Sequence, residues 1–161
     1  MKWAKSPYRA AFSLIEAVVV VVVVAVAVPP SMMWLDEAVT RRYDAANLNR
    51  ATLLGSAVVE TVLADAVSDG PGLGFAAFAT PATYIDGAVT GLRARMSTVF
   101  EPYQAVGMTY NVTIGDLMSS SGVVSADVTQ NVFRKVTVDV AYPSAAGGAQ
   151  TLSLSCVVAS P

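Results

Sequence analysis

The sequence predicts an α+β fold, in which one long N-terminal helix packs on a small antiparallel sheet of about three to four strands. Three observations carry that prediction. An apolar run that starts at Phe12 is followed by apolar residues at three- and four-residue intervals as far as Val67; three later segments alternate with period two; and Gly- and Pro-bearing stretches separate them. With 161 residues the chain has room for one ordinary domain plus an extended segment, not for two independent domains.

Met1 to Ala11 is short and basic through Lys2, Lys5 and Arg9, and reads as a targeting segment whose positive charges stay on the cytoplasmic side. From Phe12 to Val28 a helix would rise about 25 Å, and extension through Met32, Met33, Trp34 and Leu35 brings it to about 36 Å, enough to span a bilayer. Valines are poor helix formers in water. Inside lipid the backbone must satisfy its own hydrogen bonds, so the run from Val18 to Val24 is expected to be helical there. Pro29 and Pro30 lack amide donors and should kink or break the helix. Trp34 falls where an interfacial aromatic belongs, with Asp36 and Glu37 marking the exit into water. The sequence thus divides into a leader (1–11), a stem helix (12–35) and a head (36–161) that includes the amphipathic half of the helix.

One residue in the stem is out of place. Glu16 puts a carboxylate in an apolar segment, where an ionised side chain at mid-bilayer costs roughly 2.5 to 3.5 kcal/mol, so it requires a partner. A cut between Ala11 and Phe12 would create an α-amino group one helical turn away, and a packed neighbour could bring its own amine closer. A different cut is also encoded: Ala25-Val26-Ala27 matches the small-x-small pattern of ordinary signal peptidase, which would release a head beginning at Val28.

Beyond the stem, Leu35, Val39, Tyr43, Ala46, Leu53, Leu54, Ala57, Val58 and Val62 recur at helical spacing, with charged and polar residues between them. They predict an amphipathic helix over about 31–67, ended by Asp69-Gly70-Pro71-Gly72. The Ala-, Pro- and Thr-rich stretch 75–83 suggests irregular chain laid over the core. A short second helix is expected over 88–100, with Val89, Leu92, Met96 and Val99 on one face and Arg93 and Arg95 pointing elsewhere. The strands are read from Met108, Tyr110, Val112 and Ile114; from Val132 through Tyr142; and from Leu152 through Val158. Ser119 to Gly122 is expected to form a flexible connection, and 143–150, with Gly147-Gly148, a hairpin.

Composition excludes several functions. The chain has no His, which removes Ser-His-Asp and Cys-His pairs, helical His zinc motifs and imidazole bases. Cys156 stands alone, so no internal disulfide or Cys-based metal site can form, and it is expected to fill a small core position. Removing Lys2, Lys5 and Arg9 leaves seven basic against twelve acidic side chains, with no basic stripe for nucleic acid. Asp65, Asp69 and Asp86 lack the dense alternation of a calcium loop and read as solvated carboxylates and turn formers. Arg41 with Arg42 reads as an exposed helix face, and Ser56 and Thr61 as polar surface. The expectation is no enzyme, no metal and no cofactor.

Ala11, then Phe12-Ser13-Leu14-Ile15-Glu16, then a hydrophobic run, resembles the processing signal of type IV pilins and type II secretion pseudopilins. Ala11 stands where that family usually has Gly. The resemblance implies a pilin-like fold, cleavage after Ala11 by a prepilin peptidase, N-methylation of Phe12, and Glu16 as the carboxylate that guides assembly. It implies other pilin or pseudopilin subunits, an inner-membrane assembly platform and membrane lipid as partners. It also implies a single-pass inner-membrane precursor, N-terminus cytoplasmic and head outside, that joins an envelope filament. A second, shorter resemblance links Phe133 through Val140 to the penultimate strand of certain minor pseudopilins.

Overall fold

A computed structural model describes residues 13–160. The architecture is α+β: a long N-terminal helix, α1 (Leu14–Ala66), packs on a three-stranded antiparallel sheet of order β1-β2-β3. The chain divides into two compact units, Met1–Arg41 and Arg42–Pro161.

In the first unit α1 does not break at its prolines, contrary to expectation; it runs through Pro29 and Pro30 as one helix. Two missing amides leave two carbonyls one turn earlier without their usual donors, while every other turn is intact. The Ser31 hydroxyl adds a bond to the Ala27 carbonyl at 2.8 Å, strengthening the turn that contains the prolines.

In the second unit the helix buries one stripe, Ala51, Leu54, Gly55, Val58, Val62 and Ala66; Leu54, Val58 and Val62 lie on it as read from the sequence, while Tyr43, Ala46 and Leu53, expected on the same face, are exposed. The stripe faces Val136, Val138, Val140 and Tyr142 of β2 (Phe133–Pro143), Val112 and Ile114 of β1 (Thr109–Met118) and Val158 of β3 (Ala149–Ala159), which together form one core. Rows run straight across the sheet: Val112 pairs with Val138 and Val138 with Leu154; Ile114 pairs with Val136 and Val136 with Cys156. Because side chains alternate, these rows put the branched residues on the face toward the core. Gly55 permits the close approach, since a methyl group there would run into Leu154 Cδ1 and sit 3.4 Å from Val140 Cγ2.

The hairpin between β2 and β3 turns on Gly147 and Gly148, both at positive φ (88° and 85°), a conformation glycine adopts without strain. Two side chains of α1 hold it. Buried Asn47 donates to the Pro143 carbonyl at 2.9 Å, and Asp44 accepts from the Ala145 amide at 2.7 Å and the Ser144 hydroxyl at 3.2 Å.

Between helix and sheet the structure departs from expectation. The stretch read as irregular forms a 3₁₀ turn (Phe75–Ala79) and a short helix α2 (Pro81–Asp86) with Pro81 at its start, where the missing amide has no helical partner to lose. Phe78 is fully buried and meets Tyr84 edge-to-face at 4.8 Å, which explains why this Ala- and Thr-rich segment is ordered. The second predicted helix is α3 (Leu92–Gln104), shifted toward the C-terminus. Leu92 and Met96 are buried as expected, but Val89 precedes the helix and is 83% exposed. The amide of Gly91 bonds the Gly87 carbonyl at 3.0 Å, and a Cβ on either glycine would meet the other's backbone, so the chain makes a tight turn here before α3 begins.

The connection after β1 is pinned rather than flexible. Ser119 is buried, with its amide and hydroxyl both bonded to the Val123 carbonyl at 2.9 and 2.8 Å. Further along, Asp127 caps the 3₁₀ turn Val128–Gln130 by accepting from the Thr129 hydroxyl at 2.6 Å and the Thr129 amide at 3.0 Å, and those bonds hold its carboxyl below the usual range. Where the β1–β2 register shifts between Ile114 and Leu117, Arg134 donates to the Gly115 carbonyl at 2.8 Å.

Candidate functional site

Of the residues the sequence singles out, Ala11 and Phe12 lie outside the described residues. Glu16 sits in the first turn of α1, exposed, where a carboxylate also favours the helix dipole. The Ala17 amide closes the turn onto the Ser13 carbonyl at 3.1 Å. Among the described residues no cation reaches Glu16: the ion pairs are Arg41–Glu37, Arg93–Asp86 and Arg95–Asp65.

The segment after Glu16 is apolar on every side. Val18 through Val24 are seven consecutive residues, nearly two helical turns, and each is between 50% and 67% exposed. Leu14, Ile15, Met32, Met33, Trp34 and Leu35 are exposed as well. A helix apolar all round is one that belongs in an apolar medium or packed among other helices. From Leu14 to Leu35 it rises about 33 Å, against a hydrocarbon core of about 30 Å, so by length and composition this helix can cross a membrane once. It ends in charge, with Arg41 and Glu37 paired one turn apart.

A second arrangement, in the head, was not anticipated. Asp65 is 5% exposed rather than solvated. Arg95 donates to both of its oxygens, at 2.8 and 2.5 Å, and the Tyr84 hydroxyl donates to Oδ2 at 2.6 Å. Arg95, expected to point away from the core, thus turns toward the end of α1. Burial and the Asp65 carboxylate together push the Tyr84 phenol far above its ordinary range, and the bond to Asp65 raises the Arg95 guanidinium. The Asp65 carbonyl also accepts the amides of Ser68 and Gly74, at 3.1 and 2.8 Å, closing the helix end. One signal in the sequence pointed here: Asp65 continues the buried series Val58, Val62 at helical spacing, so it had to lie on the apolar face. The cluster joins α1, α2 and α3 and leaves no carboxylate oxygen open, which makes it a structural clamp.

The remaining candidates lie apart from one another. Asp86 pairs with Arg93 at 3.2 Å in the open, and Asp69 is exposed beyond the helix end. Among the described residues no three His, Cys, Asp or Glu side chains converge as metal ligands. Cys156 is half-buried at the sheet edge rather than central, and burial raises its thiol. Thr61, read as polar surface, is partly buried and bonds the Ala57 carbonyl at 2.8 Å and Met96 Sδ at 3.4 Å. The candidate site is the exposed apolar helix and its carboxylate Glu16. No family model, no curated protein and no solved structure matches the chain.

Proposed function

We propose that this chain is a structural subunit of a pilin- or pseudopilin-type filament, inserted as a membrane precursor, cleaved after Ala11, N-methylated on Phe12 and assembled through its apolar stem. The observation that carries this reading is Glu16: an exposed carboxylate at the start of a helix otherwise apolar on all faces, with no cation of its own among the described residues. A plain anchor gains nothing from it and is destabilised by it. A subunit packed among copies does gain, because a neighbour's freed N-terminal amine neutralises the charge only when the stems are in register.

The mechanism is assembly rather than catalysis. Van der Waals packing of valines and alanines holds the stems together, and a misregistered neighbour leaves a carboxylate unpaired in a medium of low dielectric. In this reading the precursor crosses the inner membrane once with its N-terminus cytoplasmic. Its partners are the prepilin peptidase, an assembly platform, lipid and other subunits.

The test is Glu16→Leu. Insertion into the membrane should be unchanged or improved, while recovery in sheared or pulled-down filaments falls to background. Filament incorporation equal to that of the unaltered chain would end the proposal.

A further inference from the structure

β3 is an edge strand, hydrogen-bonded on one side to β2. Among the described residues no backbone group is bonded to its other side. Sheet edges of this length are ordinarily blunted by a charge, a proline or a bulge, because a row of open amides and carbonyls templates pairing with another chain. The opposite edge is blunted: β1 carries Asp116 and a register shift between Ile114 and Leu117. β3 is not. Its eleven residues, AQTLSLSCVVA, hold no charge and no proline, and its register with β2 is unbroken from Ala149 to Ala159.

The centre of this open edge is self-complementary. Counting outward from Leu154, Ser153 is matched by Ser155 and Leu152 by Cys156, while Thr151 then faces Val157 and Gln150 faces Val158. We propose that this edge docks β3 of a second copy, the two strands pairing antiparallel about a two-fold axis at Leu154. Directly opposed residues then share a face of the sheet, so Leu154 meets Leu154, Ser153 meets Ser155 and Leu152 meets Cys156, and no charge opposes another. Leu152, Leu154 and Cys156 are only half-buried because nothing lies beyond them; the second strand supplies that missing flank and extends the sheet to six strands. The axis reverses the Arg42–Ala66 part of α1 in one copy relative to the other. The pairing therefore joins oppositely directed heads, not neighbours in a parallel bundle, and stands independently of the stem reading.

The experiment uses the full chain in detergent micelles, on a Cys156→Ser background that removes the native thiol. Ser153→Cys chains and Ser155→Cys chains are oxidised separately and after mixing. The proposal predicts a disulfide-linked dimer in the mixture and its absence in either sample alone, because only the 153–155 pair is directly opposed. It further predicts that Ser153→Lys with Ser155→Lys, which set lysines opposite lysines on the exposed face, abolishes the dimer in sedimentation while circular dichroism is unchanged. Monomer in every sample overturns the proposal, as does cross-linking of either cysteine chain with itself alone, or a dimer that survives the lysines. Adducts of another mass, formed in native membranes in place of the dimer, would assign the edge to a foreign strand and overturn it equally.

Discussion

Asp65 keeps a carboxylate at 5% exposure near the end of α1, and Arg95 with Tyr84 makes that tolerable. Breaking a buried ion pair from one side strands the other charge, so Arg95→Met should destabilise the head by about 3 kcal/mol, near the lower end for such pairs because the Arg95 side chain is 29% exposed. Tyr84→Phe removes one bond to a charged group and should cost about 1.5 kcal/mol, read from denaturant midpoints. The phenol is raised in the folded state, so the folded head holds its proton where the unfolded chain begins to release it. The stability this contributes is complete below the ordinary value of about 10 and declines as pH rises above it. Melting temperature should fall above that pH in the unaltered chain, and less steeply in Tyr84→Phe. An equally steep fall in both would contradict the assignment. At this scale the sequence was half legible. Asp65, read as solvated, falls at helical spacing from Val58 and Val62, a signal that would have put it on the apolar face, but its partners stand 19 and 30 residues later, and only the tertiary fold brings them to it.

At the scale of elements, the contact between α1 and the sheet is set at Gly55. Alanine there recovers up to about 1 kcal/mol of helix propensity and meets about 1 to 3 kcal/mol of overpacking against Leu154, so Gly55→Ala should be destabilising by no more than about 2 kcal/mol. Valine recovers less and adds branches toward Val140, so Gly55→Val should cost about 2 kcal/mol. Chemical denaturation checks both, and Leu154→Ala should relieve part of the valine penalty in the double variant. The three strands and the end of α1 were readable from period and punctuation, because half-buried strands and amphipathic helices write their burial into the order of residues. The 3₁₀ turn and α2 were not. Phe78 and Tyr84 form a buried aromatic pair within segments too short to show any period. Continuity of α1 through Pro29 and Pro30 was missed because local chemistry argued for a break while the intact turns on both sides carried the helix across.

On the proposed reading of the whole molecule, Glu16 is tolerated on an all-apolar helix because another subunit's N-terminus neutralises it. That residue was fully legible in sequence, since a lone carboxylate ahead of seven valines needs no fold to stand out. The pairing proposed for it is between chains and involves Ala11 and Phe12, outside the described residues. The most direct measurement is intact-mass and fragment mass spectrometry of the mature protein purified from membranes. The account predicts a chain beginning at Phe12, heavier by one methyl group on its terminal amine. A chain beginning at Val28, cut by ordinary signal peptidase, or one retaining Met1 as an uncleaved anchor, would contradict it.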